Sequence, residues 1–147
     1  MIGLEMIYMS DRIFVDTNIL IYAHDISAGF KHRIAKDLLV ELWENGQGCL
    51  SIQILQEFFV TVTRKVSNPL EVPLAKKVIT SLSHWTLHEP RKDDVLIAID
   101  LHQRYLVSFW DAMVINSAQQ LECNILWSED LNPGQSYGNI RIVNPFR

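Results

Sequence analysis

The sequence predicts an α/β fold in which helices flank a mainly parallel central sheet, as an α/β/α sandwich. Short β-rich runs alternate along the chain with segments of helical periodicity, which is the pattern of parallel-sheet proteins. The chain has 147 residues, of which 48% are hydrophobic and 20% charged, enough to bury one globular core. No repeat, low-complexity tract or linker divides it. We therefore expect one domain over residues 12–147, preceded by an N-terminal extension, residues 1–11, that either joins the first strand or is disordered.

The first half of the chain predicts two strands and three helices. They are a strand over residues 12–16, helices over 19–23 and 31–44, a strand over 49–51 and a helix over 52–66. The second helix ends at Asn45-Gly46, because glycine readily adopts the left-handed conformation that closes a helix. Ser51 is suited to cap the third helix, since its hydroxyl can accept a free backbone N–H of the first turn.

The second half predicts three more helices and three short strands. They are helices over residues 73–83, 93–105 and 111–121 and strands over 85–87, 124–127 and 140–143. In open parallel sheets, ligands bind beyond the carboxyl ends of the strands. Asp16, Ser51 and the segment 128–130 all fall at predicted strand ends, so we expect a site at that edge of the sheet.

Charge and composition exclude several classes of protein. The net charge of −4 provides no general cationic field for a nucleic acid, so contacts with phosphates must be local or metal-mediated. Cys49 and Cys123 form neither a disulfide framework nor a CxxC pair. No apolar run reaches the roughly 18 residues of a membrane span, and residues 1–11 lack the features of a signal peptide. We therefore expect a cytoplasmic protein, with Met6 and Met9 as alternative start positions.

Four short segments each place an acid among apolar residues. They are Phe-Val-Asp-Thr-Asn, Leu-Gln-Glu-Phe-Phe, Phe-Trp-Asp-Ala-Met and Leu-Trp-Ser-Glu-Asp, and their acids are Asp16, Glu57, Asp111 and Asp130. An unpaired carboxylate in apolar surroundings costs about 2–7 kcal/mol or more, so it is normally paired, protonated or bound to a metal. Four such acids together indicate a site for a hard cation.

Each acid also has an ordinary structural interpretation. Asp16 fits an Asx turn or a helix N-cap, and Asp111 fits an N-cap of its own helix. Asp130 fits the start of a turn over residues 131–134. Glu57 fits a solvated helix face that it would share with polar residues one or two turns away, namely Gln53, Thr61 and Arg64.

Strand periodicity decides which acid of the last segment belongs to the site. Successive side chains of a strand point to opposite faces, which sends Ser128 and Asp130 one way and Glu129 the other. We therefore assign Asp130 to the site in place of Glu129.

Taken together, these segments resemble the PIN-domain family of metal-dependent nucleases, and in particular its VapC-type toxins. The resemblance spans residues 13–146 and rests on the four acidic segments, the first of which continues as Ile-Leu-Ile-Tyr-Ala. The catalytic and metal-binding acids of the family carry over to Asp16, Glu57, Asp111 and Asp130. Residues that support these acids by hydrogen bonding carry over to Thr17, Asn18 and Ser128, the last of which is often threonine in the family.

This resemblance implies an endoribonuclease that depends on one or two Mg²⁺ or Mn²⁺ ions and leaves 5′-phosphate and 3′-hydroxyl ends. It also implies that Asp16 and Asp111 are the principal metal ligands. Glu57 is then a ligand or a base that positions water, and Asp130 binds the second ion. Phosphodiester hydrolysis requires a nucleophilic water and neutralisation of phosphoryl charge, which cations held by carboxylate oxygens can supply.

We expect RNA, an antitoxin and a second copy of the chain as partners, and no membrane. Arg64 and Lys65 are the first candidates for RNA contacts, because Arg64 shares the Glu57 face of the helix seven residues on. Lys31, Arg33 and Lys36 are the second candidates. The resemblance implies a protein antitoxin whose C-terminal segment occupies a hydrophobic groove and directs a basic side chain toward the acids. The candidate groove residues are Tyr22, Leu38, Leu42 and Trp43.

Three other functions are weighed against the toxin. A housekeeping RNA-processing nuclease would have the same fold and acids. A catalytically silent module that binds nucleic acid or protein would have lost one or more acids, yet all four are present. An enzyme of the haloacid dehalogenase type would need a second aspartate two residues after Asp16, where Asn18 stands.

Overall fold

Strands and helices alternate along the chain as the sequence predicts. The computed structural model describes Tyr8 and residues 10–147; the alternative starts Met6 and Met9, and most of the predicted extension 1–11, lie outside the described residues. In chain order the elements are β1 (Ile13–Val15), α1 (Thr17–Ala23), a 3₁₀ turn (Ile26–Ala28), α2 (Phe30–Asn45), β2 (Gly48–Ser51), α3 (Ile52–Arg64), α4 (Val72–Leu82), β3 (Thr86–His88), α5 (Lys92–Tyr105), α6 (Phe109–Gln120), β4 (Ile125–Trp127), β5 (Ser136–Tyr137) and β6 (Ile140–Val143).

The strands form one sheet in the order β3-β2-β1-β4-β6-β5. β1 pairs in parallel with β2 on one side and with β4 on the other. β3 and β6 extend the sheet in parallel, and β5 turns back antiparallel to β6. The carboxyl ends of β1, β2 and β4 therefore meet at one edge, where Asp16, Ser51 and Ser128 lie. This arrangement confirms the predicted α/β fold, a mainly parallel sheet flanked by helices.

The core explains why the central strands are continuously apolar. All three residues of β1 are fully buried, and those of β4 are at most 6% exposed. Strands covered on both faces have no solvent side to fill with polar residues. Helix α3 contributes Ile54, Phe58 and Val62, all at 0% exposure, at the spacing of one helix face. The residues of the sheet edge thus follow strands and a helix that are held in the buried core.

Every predicted helix and strand ends within two residues of its observed boundary, but two short elements were not predicted. The 3₁₀ turn and β5 are too short for periodicity to reveal. The N-cap interpretation of Asp111 is wrong, because α6 begins earlier and Ser108 is its N-cap, whose hydroxyl accepts the Asp111 N–H at 3.0 Å. None of the helices in the described part of the chain combines the length and apolar composition of a membrane span.

A buried polar network fixes α5 and α6 against β3. His88 Nδ1 lies 2.8 Å from the Ser117 hydroxyl, and its Nε2 lies 3.5 Å from Asp94 Oδ2. The Asn116 amide donates to Asp94 Oδ1 at 2.9 Å. Ser117 and Asn116 are fully buried, so water competes little for the bonds that they make. Because Asp111 lies on the first turn of the same helix, the network helps to set its position.

Candidate active site

Asp16 is the buried acid of the site. It follows β1 directly and is 8% exposed. Its carboxylate accepts the Thr17 N–H at 2.8 Å and the Ser128 hydroxyl at 2.7 Å. Burial raises the pKa of Asp16 from 3.8 to about 6; the two hydrogen bonds oppose this rise, and the charges of Glu57 and Asp130 add to it. Asp16 is also the N-cap of α1, which confirms its structural interpretation.

Glu57 reaches the site from the second turn of α3. Its Oε1 accepts the Thr17 hydroxyl at 3.1 Å and the Gln53 amide at 3.3 Å. The pKa of Glu57 is raised, mainly because neighbouring protein displaces water from its carboxylate; the two hydrogen bonds oppose the rise and the Asp111 charge adds to it. Thr17 therefore joins Asp16, through its backbone, to Glu57, through its side chain.

Asp111 and Asp130 complete the group from α6 and from the turn after β4. Burial raises the pKa of Asp111, the Ser108 hydroxyl opposes the rise, and the charge of Asp130 adds to it. Asp130 accepts the Asn18 amide at 3.0 Å. The backbone N–H of Asp130 donates to the Ser128 hydroxyl at 3.2 Å, which fixes the turn that carries it.

The structure brings all four predicted acids into one electrostatic cluster. The negative charge of Asp130 raises the pKa of both Asp16 and Asp111. The charge of Glu57 likewise raises the pKa of Asp16, and that of Asp111 raises the pKa of Glu57. Their hydrogen-bonding side chains are uncharged and do not neutralise them: Thr17, Asn18, Gln53, Ser108 and Ser128. The expectation that all four acids are buried is correct only for Asp16. Asp111 is half-buried, and Glu57 and Asp130 are exposed, because they extend past the strand edge toward solvent.

Gln53 is a residue of the site that the sequence did not reveal. The sequence placed it on a solvated face with Glu57, but it is only 8% exposed. Its amide nitrogen lies 3.3 Å from both Glu57 Oε1 and the backbone carbonyl of Trp110, the residue before Asp111. Its carbonyl oxygen is buried with no hydrogen-bond partner in the described part of the chain. Gln53 therefore ties α3 to α6 at the acids; its position between two apolar residues was the available signal.

The donor chemistry of the cluster fits a divalent cation, although the cluster is not a closed cage. Among residues 10–147 and Tyr8, no three His, Cys, Asp or Glu side chains are grouped so that they could together hold a metal ion. Mg²⁺ is typically bound through one or two carboxylates, with water and substrate phosphates completing its octahedron. The carboxyl pKa values of Asp16, Glu57 and Asp111 are raised mainly by burial and further by the neighbouring acids, and a bound cation would oppose both effects. The acids therefore suit a cation that keeps part of its own water.

Glu129 and Asp130 have different partners, although strand alternation is not the reason, because β4 ends at Trp127 and both residues lie in the turn after it. Tyr22 donates its hydroxyl to Glu129 at 2.5 Å, and Lys31 forms an ion pair with the same carboxylate. Partial burial alone would raise the pKa of Glu129, but these bonds and the charges of Lys31 and Arg147 lower it overall. The pKa of Lys31 is raised, chiefly by its bond to Glu129. Glu129 is thus already compensated, unlike the cluster beside it.

The candidate RNA-binding residues lie at the far end of α3. Arg64 is its last residue and Lys65 follows it, and both side chains are exposed. Seven residues of helix separate Arg64 from Glu57, a rise of about 10 Å. A cation at that distance can bind a phosphate of an RNA chain that neighbours the phosphate placed at the four acids.

A groove lies between α2 and α4, and of the four candidate residues only Trp43 lines it. Leu38 and Leu42 are at most 2% exposed and belong to the core, since they occupy the inward face of α2. Trp43 is 46% exposed and lines a cavity of about 420 Å³ together with Val40. Tyr22 packs instead against Phe146, with ring centroids 5.3 Å apart.

Comparison with known proteins identifies the family. The PIN domain model matches residues 13–134, so the chain belongs to the PIN-domain family. No curated protein sequence matches the chain significantly. Similar solved structures include a toxin-antitoxin complex from Klebsiella pneumoniae, with 24% identity, a TM-score of 0.66, and coverage of 92% of this chain and 98% of that one.

Two further structures share the fold at lower identity. VapC20 of Mycobacterium tuberculosis, a sarcin-ricin loop cleaving toxin, is 17% identical with a TM-score of 0.61, and the match covers 80% of this chain and 89% of that one. The DNA-bound VapBC of Salmonella typhimurium is 15% identical with a TM-score of 0.62, covering 90% and 96%. At these identities the likeness establishes the fold.

Proposed function

We propose that the protein is an endoribonuclease dependent on Mg²⁺ or Mn²⁺, and that it is the toxin of a toxin-antitoxin pair. The observation that carries the proposal is the cluster of Asp16, Glu57, Asp111 and Asp130, which come from four parts of the chain and have uncharged hydrogen-bonding partners. The cluster lies at the carboxyl edge of a parallel sheet, where such folds bind ligands. Membership of the PIN-domain family supports the same chemistry.

Each acid has a role that its environment supports. Asp16 and Asp111 would be the principal ligands of a bound cation, and Asp130 would bind a second ion. Glu57 is either a ligand or the base that orients the attacking water; its pKa, raised mainly by burial, makes it a stronger base than a free glutamate. A divalent cation bound there would neutralise charge on the phosphoryl oxygens and favour ionisation of water.

The supporting residues hold the acids in place before any substrate arrives. Ser128 and Thr17 fix Asp16, Thr17 and Gln53 fix Glu57, and Asn18 fixes Asp130. Preorganised side chains lose little entropy at the moment of reaction. Water would attack the phosphorus and the P–O3′ bond would break, so that the 3′ oxygen leaves and takes up a proton; this gives the 5′-phosphate and 3′-hydroxyl ends that the resemblance implies.

The antitoxin is proposed to occupy the groove between α2 and α4. Trp43 and Val40 expose apolar surface there, and exposed apolar surface of this kind commonly marks a protein contact. Two of the similar structures are described as a toxin-antitoxin complex and as VapBC. An arginine from the same antitoxin segment could pair with the acids and exclude the cation. We also propose a homodimer and a cytoplasmic location.

The decisive experiment measures cleavage of an end-labelled single-stranded RNA by the purified protein. Cleavage should require Mg²⁺ or Mn²⁺, stop in EDTA, be abolished by Asp16→Asn, and leave 5′-phosphate ends. Unchanged cleavage in EDTA would refute the metal-dependent mechanism. RNA binding without cleavage in any metal would favour the silent binding module.

A second experiment separates a toxin from a housekeeping nuclease. Expression of the wild-type protein should slow growth in a manner that depends on Asp16, and co-expression of a small product of an adjacent gene should restore growth. A wild type that is active on RNA yet harmless at high expression would favour the housekeeping enzyme.

A further inference from the structure

Lys31, near the start of α2, is a basic side chain fixed at the rim of the acid cluster. It forms an ion pair with Glu129, the residue between Ser128 and Asp130. The backbone N–H of Glu129 donates to Asn18 Oδ1 at 3.4 Å, and the Asn18 amide donates to Asp130. Lys31 is therefore connected to the acid cluster through two residues.

Two aromatic rings and a second cation surround this ion pair. The Lys31 ammonium lies 5.1 Å from the centroid of the Tyr22 ring and 5.7 Å from that of Phe146, within cation–π range. Arg147 also acts electrostatically on Glu129. The rings can retain the ammonium at the rim even when its carboxylate partner changes.

The pair is accessible enough for its partner to be exchanged. The Lys31 side chain is 31% exposed and that of Glu129 22%. Ion pairs that reach solvent are weak, because water and salt compete with them. Glu129 also retains the Tyr22 hydroxyl as an independent donor, so it is not left without a hydrogen bond when Lys31 leaves.

We propose that Lys31 binds a phosphate of the RNA next to the cleaved bond, and that Glu129 occupies Lys31 in the free protein. This inference rests on the proposed ribonuclease function. An RNA that approaches the four acids and Glu129 meets strong negative charge, and a cation at the rim lowers that repulsion. The incoming phosphodiester takes the place of the Glu129 carboxylate, and no covalent bond changes.

The test measures binding of a fluorescent single-stranded RNA to an Asp16→Asn background in Mg²⁺ buffer, at several salt concentrations. Lys31→Gln should weaken binding several-fold and reduce the slope of log K against log[salt] by about 0.7, the contribution of one phosphate contact. Glu129→Gln should tighten binding, because it frees Lys31. Lys77→Gln, a loss of the same charge at an exposed position of α4, is the control and should change little.

The double variant distinguishes masking of Lys31 from general charge effects. If Glu129 acts by occupying Lys31, Glu129→Gln should tighten RNA binding when Lys31 is unchanged. It should have no effect on RNA binding in a protein that also carries Lys31→Gln. Equal tightening in both backgrounds would overturn the proposal in favour of plain repulsion by Glu129. If both single variants bind RNA more weakly and melt at lower temperatures, the proposal is overturned, because the ion pair then serves to stabilise the fold. An Asp16→Asn protein that binds no RNA at all would instead contradict the ribonuclease function itself.

Discussion

The hydroxyl of Ser128 donates a 2.7 Å hydrogen bond to Asp16 across 112 positions of the sequence. Ser128 is fully buried and Asp16 nearly so, and the bond joins the ends of the adjacent strands β4 and β1. The same oxygen accepts the backbone N–H groups of Asp130 and Leu131, each at 3.2 Å. One hydroxyl thus holds two acids of the cluster in fixed relation.

Ser128→Ala should lower activity by roughly 10- to 100-fold, the usual effect of removing a group that orients a metal ligand. The variant removes a bond that stabilises ionised Asp16, so the pKa of Asp16 should rise further and its affinity for a cation should fall. Cleavage rates against Mg²⁺ concentration measure this. Ser128→Thr is the matched control, because it retains the hydroxyl, and it should keep most of the activity. Equal loss in both variants would indicate a packing defect instead.

Asp16→Asn should abolish cleavage while stabilising the metal-free protein at neutral pH. The folded-state pKa of Asp16 is about 6, above its ordinary 3.8, so the folded state binds this proton more tightly than the unfolded state does. Its contribution to stability is therefore present below about pH 4 and lost as pH rises through 6. A shift of about two units corresponds to roughly 3 kcal/mol, part of which the variant recovers. Asparagine can still cap α1.

Thermal melts in EDTA between pH 4 and 8 measure this difference. The wild type should lose stability with rising pH relative to Asp16→Asn. The raised pKa values of Glu57 and Asp111 lower the stability of both proteins as pH rises, so they do not account for the difference. Asp100→Asn, at an exposed position of α5, serves as the control and should follow the wild type. An Asp16→Asn protein that unfolds would show that this acid is needed chiefly as a cap.

Arg64→Gln combined with Lys65→Gln should raise the KM for RNA and leave kcat nearly unchanged. Both side chains are exposed about 10 Å along α3 from Glu57, so they can hold a neighbouring phosphate without touching the reacting one. Steady-state kinetics at two salt concentrations test this, since the effect should shrink at high salt. Lys76→Gln with Lys77→Gln is a control of equal charge. An unchanged KM would remove these residues from the RNA surface.

Trp43→Ala should weaken antitoxin binding by about 2 kcal/mol or more, as expected for a partly exposed aromatic at the centre of a contact. RNA cleavage should be retained, so the variant should be toxic even when the antitoxin is co-expressed. Ile26→Ala, a change at a highly exposed apolar residue outside the groove, is the comparison and should remain neutralised. If the antitoxin neutralises both variants equally, it does not depend on this groove.

The fold was predictable because its signals are local. Apolar spacing and end residues such as Ser51 and Gly46 determine where helices begin and end, and the observed structure has them there. The edge that gathers Asp16 and Ser128 followed from the parallel direction predicted for the strands, without their order. These inferences need no knowledge of which helix packs on which.

The remaining features depend on tertiary contacts. Gln53 is spaced four residues from Glu57, so periodicity places both on one polar face, yet the approach of α6 buries Gln53 and leaves Glu57 exposed. Leu42 and Trp43 are neighbours in sequence, and only packing against the sheet decides that the first is core and the second lines the groove. No spacing rule connects Lys31 with Glu129.

The order of the strands also determines when the cluster can assemble during synthesis. β1 lies between β2 and β4, and β4 is translated more than a hundred residues after it. At a translation rate of about 5–20 residues per second, roughly 6–20 seconds pass between the synthesis of Asp16 and that of β4, Ser128 and Asp130. A prematurely terminated chain that ends before β4 therefore carries no complete acid cluster, whatever part of the sheet it has already formed.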